Sequence, residues 1–121
     1  MSASVVIVDD NDLNCELLTD VLQGAGYGTA EAADGQQALD YLHDHAVMPD
    51  LILLDLMMPR MDGWEFLRRR HREASLACVP VILFTASDGV NPHTVRALGV
   101  ADVLHKPAQP REILAAIGHH C

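Results

Sequence analysis

The chain has 121 residues, 50% of them hydrophobic but only 4% aromatic, and a formal net charge of -9 at pH 7. This length predicts a single domain with an aliphatic core, and the acidic balance excludes sequence-independent binding to nucleic acids, which depends on Lys and Arg neutralising phosphates. The chain lacks a signal-peptide pattern and an apolar run of ~18 residues, and its three cysteines have no metal-like spacing, so we expect a cytoplasmic protein with reduced thiols and no membrane span.

Runs of β-branched or leucine-rich sequence predict five strands, at Ser4–Val8, Gly28–Ala32, Leu51–Leu54, 79–84 and 103–105. Helical spacing predicts five helices: one ended by Gly24 and Gly26, one capped by Asp34, one beginning near Gly63, and two at about 92–98 and 110–117. The second strand is the most polar, which is typical of an edge strand. Five β–α units in this order predict a parallel sheet with helices on both faces.

Polar side chains follow four of the predicted strands directly. Asp9 and Asp10 come after the first strand, Asp55 after the third, Thr85 after the fourth and Lys106 after the fifth. Taken singly, each is an ordinary helix cap or loop residue. In a parallel sheet, however, all five would gather at the carboxyl edge, where ligands bind at the switch point in strand order.

Three carboxylates at one edge need a cation, because two of them ~4 Å apart repel by roughly 4 kcal/mol at an effective dielectric of 20. An all-oxygen site with open positions suits Mg²⁺. Lys106 adds a point charge for a phosphoryl oxygen, and Thr85 adds a hydroxyl donor. A carboxylate beside a metal can act as a nucleophile toward phosphorus, so the pattern predicts that Asp55 is phosphorylated.

Several longer segments carry a family resemblance: VIVDDNDLNCELL, ADGQQALDYL, PDLILLDLMMPRMDGWEFL, VPVILFTA and ADVLHKP. Together they resemble the receiver domain of two-component response regulators over essentially the whole chain. The resemblance implies a doubly wound, flavodoxin-like (βα)5 fold with strand order 2-1-3-4-5. It also implies that residues 1–121 form a single receiver domain, and we expect no attached output domain because the chain stops soon after its last helix.

The resemblance also implies roles for the acidic residues. Asp55 would accept a phosphoryl group from a sensor histidine kinase or a histidine phosphotransfer protein. Asp10, Asp55 and the backbone carbonyl of Met57 would bind Mg²⁺, or Mn²⁺ in its place, and Asp9 would act through water. The protein would assist its own phosphorylation and dephosphorylation without being a conventional enzyme.

Switching is implied by the same resemblance but departs from the family pattern. Thr85 would contact the phosphoryl group and shift, Lys106 would bind a phosphoryl oxygen, and the Lys106–Pro107 peptide bond would be cis. Val103 stands where the family usually has Tyr or Phe, and valine has no ring to swing between buried and exposed positions. The added charge must then act through Thr85, Lys106 and loop movement.

Two other functions fit parts of the pattern. A Mg²⁺-dependent phosphatase of the haloacid-dehalogenase type also uses an aspartyl phosphate, but it needs a second aspartate where this chain has Met57. A degenerate receiver would bind partners without being phosphorylated; the complete set of site residues argues against it, whereas Val103 argues for it.

The expected partners follow from the family as well. The face built from the fourth predicted helix, the fifth strand and the fifth helix, residues 92–117, would dock a downstream protein through residues such as Arg96, His105 and Arg111. We expect no nucleic acid or membrane partner, and a monomer or weak dimer. A stand-alone switch, a relay intermediate and a piece of a larger regulator or hybrid kinase all remain open.

Three features lie outside this scheme. The basic run at 68–72 is expected near the end of the third helix, where cations complement the helix dipole. Trp64 is expected to pack partly buried on the same helix. Residues 88–92 form a predicted flexible turn that is expected to move with Thr85.

Overall fold

The computed structural model describes residues 3–44, 48–87 and 90–121. Its strands are β1 (Ser4–Val8), β2 (Gly28–Ala32), β3 (Leu51–Leu54), β4 (Val81–Thr85) and β5 (Val100–His105). Its helices are α1 (Asp12–Gly24), α2 (Gly35–Asp44), α3 (Gly63–Arg72), α4 (Ala74–Ala77), α5 (Pro92–Ala97) and α6 (Pro110–His120). Part of the predicted turn at 88–92, residues 88 and 89, lies outside the described residues.

The five strands form one parallel sheet in the order β2-β1-β3-β4-β5. This confirms the predicted doubly wound fold and its strand order. The order reverses at β1, which pairs with β2 on one side and with β3 on the other. Because ligands bind outside the carboxyl ends of strands at such a switch point, a functional site is expected at the carboxyl ends of β1 and β3.

The core has two layers, one on each face of the sheet, because successive side chains of a strand point to opposite faces. Val6, Val8, Ile52 and Leu54 pack against α2 and α3, whereas Val5, Ile7, Leu51 and Leu53 pack against α1 and α6. The three central strands are buried on both faces, which explains their uninterrupted aliphatic runs.

Three predicted strand boundaries were wrong, and one of them is the end of β4, which lies at Thr85 rather than at residue 84. β4 begins at Val81 rather than at residue 79, because Val79 closes a turn in which its amide donates to the carbonyl of Leu76. β5 begins at Val100 rather than at residue 103, because the β4–β5 register shifts between Val81 and Ile82. Such a shift breaks the alternation by which strands are recognised in sequence.

Helix boundaries also differ in part. The short helix α4 was not predicted, α5 ends one residue earlier than predicted, and α6 continues to His120 rather than stopping at residue 117. The basic run does lie near the end of α3, with residues 69–72 in its last turn, but Arg70 within it is buried and only 1% exposed. Trp64 packs against the core and is partly buried, as predicted.

The edge strand β2 is polar and is tied to α1 by side chains. Gly28 and Glu31 are exposed. The Thr19 hydroxyl donates to Glu31 Oε1 at 2.8 Å, and Gln23 Nε2 donates to Thr29 Oγ1 at 3.1 Å. Across the described residues, none of the helices has the length and hydropathy to cross a bilayer.

Candidate functional site

Three carboxylates meet at the carboxyl edge of the sheet. Asp9 and Asp55 follow the adjacent strands β1 and β3, and the amide of Asp55 donates to the carbonyl of Val8 at 2.9 Å. Asp9, Asp10 and Asp55 each bring one carboxylate oxygen within 4.8 Å of the others. Asp9 and Asp55 are buried, at 4% and 8% exposure, whereas Asp10 is exposed. The cluster is therefore open to solvent at Asp10.

Lys106 supplies the positive charge that this cluster needs. Its Nζ donates to Asp9 Oδ2 at 2.9 Å and lies 3.5 Å from Asp55 Oδ2. The Lys106 amide donates to the Thr85 carbonyl at 2.9 Å, and the Lys106–Pro107 peptide bond is cis. The ammonium group also lies 5.4 Å from the centroid of the Phe84 ring, within the range of a cation–π contact. The lysine is thus placed to bridge two carboxylates.

The pKa of Asp55 is raised above its ordinary value by its surroundings. Burial raises the pKa of this carboxyl, and the charge of Asp9 raises it further, whereas Lys106 and the Met57 amide lower it, with a net rise. A further cation at the cluster would favour the ionised form, because opposite charge lowers a carboxyl pKa. Lys106 therefore offsets only part of the effect that burial and Asp9 have on the pKa of Asp55.

Thr85 and Val103 lie on the neighbouring strands. Thr85 is fully buried at the end of β4, and its Oγ1 accepts a hydrogen bond from the Ser87 amide at 3.1 Å. Val103 pairs with Leu83 across the β4–β5 ladder and packs, half-buried, against the core. The structure thus places the Thr85 hydroxyl at the same sheet edge as Asp55, with Val103 further back along β5.

The loop between β3 and α3 is held by contacts that sequence reasoning missed. Arg60 has a positive φ of 63°, and its Nε donates to Asp34 Oδ2 at 2.7 Å. Asp34 is buried, and its side chain accepts from the Gln37 amide at 2.9 Å, so it does cap α2. Although burial alone would raise the pKa of Asp34, these hydrogen bonds and the Arg60 charge hold it below its usual value. Met57, in the same loop, is 68% exposed.

Gly63 makes the closest approach between α3 and the site. A Cβ at this position would lie 2.6 Å from the Asp55 carbonyl oxygen and 2.7 Å from Leu56 Cα. The Gly63 amide donates to the Leu56 carbonyl at 2.9 Å, and the Asp62 side chain caps the helix by accepting from the Glu65 amide. The glycine in MDG was a signal in the sequence, but its steric reason appears only in three dimensions.

Some large apolar side chains of α1 and of the loop after β3 are exposed. Among the described residues, the large hydrophobic side chains that are exposed are Leu13, Leu17 and Met57, at 63%, 56% and 68%. Leu17 lines a groove of about 340 Å³ whose far wall includes Lys106 and Ala108. Through this groove, the exposed apolar surface at Leu17 reaches Lys106 of the carboxylate site.

The chain belongs to the response regulator receiver domain family, whose sequence model matches residues 5–118. Members of this family accept a phosphoryl group in two-component signalling, bind Mg²⁺ through an acidic pocket, and interact with kinases and downstream effectors. The acidic cluster described above is such a pocket in composition.

Three similar proteins illustrate the family. The DNA-binding response regulator MtrA of Mycolicibacterium smegmatis is 36% identical over 118 residues, covering 97% of this chain and 50% of MtrA. The chain therefore spans about half the length of this curated relative. Chemotaxis protein CheY4 of Vibrio cholerae superposes with a TM-score of 0.89 at 28% identity, covering 100% of both chains. The receiver domain of sensor histidine kinase PA1611 of Pseudomonas aeruginosa, solved with a magnesium ion in its active site cleft, has a TM-score of 0.88 at 26% identity, covering 99% of this chain and 98% of that one.

Proposed function

We propose that Asp55 is the phosphoacceptor of this receiver, and that the donor is the phosphohistidine of a sensor histidine kinase or of a histidine phosphotransfer protein. The observation that supports this most is the convergence of Asp9, Asp10 and Asp55 within 4.8 Å, with the Lys106 ammonium 2.9 Å from one of them. We propose that residues 1–121 form one receiver domain, which acts in the cytoplasm.

The donor set fits Mg²⁺, with Mn²⁺ as an alternative. All candidate ligands are oxygens, which hard divalent cations prefer, and the exposed side at Asp10 leaves room for the waters that Mg²⁺ retains. Asp10, Asp55 and the backbone carbonyl of Met57 would hold the ion directly, and Asp9 through water. The bound ion would supply the positive charge that keeps the carboxylates ionised and would bind a phosphoryl oxygen.

The reaction then uses groups of this chain in a simple order. A carboxylate oxygen of Asp55 attacks phosphorus, the bond between phosphorus and the donor imidazole breaks, and the imidazole leaves with the bonding electron pair. Lys106 moves from the carboxylates to a phosphoryl oxygen, and the Thr85 hydroxyl donates to another. The protein thus acts mainly by positioning and charge stabilisation, and hydrolysis of the acyl phosphate returns it to the starting state.

The apolar surface of Leu13, Leu17 and Met57 is proposed to receive the donor. A phosphohistidine has to approach within bonding distance of Asp55, so the donor protein must cover the surface around the open side of the cluster. The groove at Leu17 is lined mainly by apolar residues and leads to Lys106, and apolar surface beside a site suits contact with a partner protein.

Thr85 and Val103 are proposed to form the switch, with the α5–β5–α6 surface as the face that docks a downstream protein. That surface includes Arg96, His105 and Arg111, all exposed. We propose that this domain binds no nucleic acid or membrane and acts as a monomer or weak dimer.

The test is the intact mass of the protein after incubation with acetyl phosphate and Mg²⁺. One added phosphoryl group is expected, and none after Asp55→Asn substitution or in EDTA. If no adduct forms, a rapid turnover of the phosphoryl group is tested by binding of beryllofluoride, which mimics it and is not hydrolysed. A folded protein that takes neither would refute the proposed function.

A further inference from the structure

Arg70 is a buried cation that the phosphorylation site does not use. It is 1% exposed, although it lies on α3 between the exposed Arg69 and His71. Its Nη1 donates to the Leu98 carbonyl at 3.0 Å, and its Nη2 donates to the carbonyls of Ala77 and Val79 at 3.1 and 2.6 Å. Burying a guanidinium is costly unless it is well paired. The burial of Arg70 therefore has to be explained by what its hydrogen bonds hold together.

The partners of Arg70 are backbone carbonyls rather than an acid. Its Nε is buried without a hydrogen-bond partner, and in the described part of the chain no carboxylate pairs with it. Leu98 is the C-terminal cap of α5, and Ala77 is the last residue of α4. Carbonyls at helix C-termini carry partial negative charge, so two helix ends act together as the counter-charge.

These contacts join α3 to the segments that precede β4 and β5, at the edge of the sheet opposite to Asp55. Val79 precedes β4, and Leu98 precedes β5. Gly99, which follows Leu98 with a positive φ of 78°, leaves the guanidinium 3.5 Å from where a Cβ would lie. One side chain of α3 therefore ties the starts of β4 and β5 together.

The helix α5 depends on this tie more than a longer helix would. It has six residues, all described, and Val95 is the one among them that is buried. Its N-terminal end follows the segment of Thr85 and Ser87 at the carboxylate edge, whereas its C-terminal end carries the carbonyl bound by Arg70. The N-terminal end is capped by Asn91, whose side chain accepts from the His93 and Thr94 amides, so the two ends of α5 are held by different groups.

We propose that Arg70 is a positioning residue that anchors the C-terminal end of α5, so that α5 turns about Leu98 when the phosphoryl group moves Thr85. The movement is then largest at the N-terminal end of α5 and absent at Leu98 and Gly99. This pivot rests on the proposed function, whereas the anchor itself does not. The pivot also fits the presence of Val103 on β5. A rotation of α5 needs no aromatic ring at this position, whereas the switch usual in the family does.

The test is amide hydrogen exchange of the wild type and of Arg70→Met, an unbranched apolar replacement. Without phosphate mimic, amide exchange at Leu98, Gly99 and Val79 is expected to rise at least about tenfold in the variant, because losing the charge-assisted hydrogen bonds to the Leu98 and Val79 carbonyls lets these segments open more often. Exchange in the central strands should be unchanged. Arg69→Met, which removes an exposed arginine paired with Glu65, is the matched control and should leave exchange at these amides as in the wild type. Arg70→Lys keeps the charge but not the planar set of donors of the guanidinium, so exchange at these amides should rise by an intermediate amount. This variant replaces Arg70→Met in the test if Arg70→Met does not fold.

The second arm adds Mg²⁺ and beryllofluoride. In the wild type, exchange should change at residues 93–95 and stay constant at Leu98 and Gly99; in Arg70→Met the change should spread to these two residues. Uniformly faster exchange throughout Arg70→Met would overturn the anchor, because it would show a general loss of stability. Equal changes at both ends of α5 in the wild type would overturn the pivot. If the folded protein forms no adduct with acetyl phosphate and binds no beryllofluoride, the proposed function and the pivot both fall, while the first arm still decides the anchor.

Discussion

Replacing Gly63 by alanine adds one methyl group where the structure has no space. The added carbon would lie 2.6 Å from the Asp55 carbonyl oxygen and 2.7 Å from Leu56 Cα, whereas unstrained contacts are at about 3.5–4.0 Å. Both atoms belong to the backbone, so no side chain can turn away. The N-terminus of α3 has to retreat by about 1 Å, and Asp55 or the packing of Phe66 and Leu67 must shift with it.

Two magnitudes follow from this retreat. Forcing extra volume into a packed core costs about 1–3 kcal/mol, and the upper part of this range applies because backbone atoms are in contact. Alanine recovers up to about 1 kcal/mol relative to glycine within a helix, so we expect Gly63→Ala to lower the free energy of unfolding by about 2 kcal/mol. A displacement of about 1 Å at a reacting group can cost about 10²-fold in rate, so phosphorylation should slow by a similar factor.

The assay combines urea unfolding, followed by far-ultraviolet circular dichroism, with the time course of the intact mass in acetyl phosphate and Mg²⁺. Gly24→Ala is the matched control, because a Cβ at the last residue of α1 meets nothing within 4 Å; it should be as stable as the wild type or slightly more so. An unchanged free energy of unfolding in Gly63→Ala, together with a wild-type rate of phosphorylation, would refute the steric reasoning.

Three further predictions concern charge. Because burial and Asp9 raise the pKa of Asp55, the ionised group lowers stability as pH rises through that pKa. Asp55→Asn should therefore unfold at a higher temperature at pH 7 without Mg²⁺, and calorimetry should show this gain shrinking as pH falls through the raised pKa and disappearing once pH is below the usual carboxyl value. Lys106→Met removes a cation that competes for Asp9 and Asp55, so titration calorimetry should show Mg²⁺ bound about tenfold more tightly (~1.4 kcal/mol) even though phosphorylation slows; weaker binding would contradict this. Burial raises the pKa of the Cys15 thiol to about 11, so a thiol reagent at pH 8 should modify the exposed Cys78 at least about 100-fold faster than Cys15, as peptide mass mapping would show.

Much of the fold was predictable because buried parallel strands leave a strong signal. The runs that form β1 and β3 are aliphatic on both faces, and the polar residues that follow them mark where the strands end. The start of β5 was not predictable in the same way, since the register shift next to Val81 and the polar Asp102 break the pattern. Local sequence shows alternation but not the partner strand that imposes a shift.

The site, like the fold, was predictable where local sequence determines it and not where long-range contacts do. Asp9, Asp55 and Lys106 were predicted from their positions after strands, and the structure brings them together; their chemical roles remain predictions. The ion pair of Asp34 with Arg60 and the burial of Arg70 were not predictable, because both depend on contacts between residues far apart in sequence. A run of arginines at a helix end looks solvated until the carbonyls of other segments are placed around it.

The polar edge strand β2 has a consequence for how this domain behaves at high concentration. An open strand edge invites pairing with another chain, and natural sheets counter this with short, charged or irregular edges. In β2 the five residues GTAEA begin with an exposed glycine, expose Glu31, and hold Thr29 and Glu31 through side-chain bonds to α1. Together with the net charge of -9, such an edge should keep copies of the domain from extending one another's sheets, so that self-association by strand addition is disfavoured even where many receivers crowd around one partner.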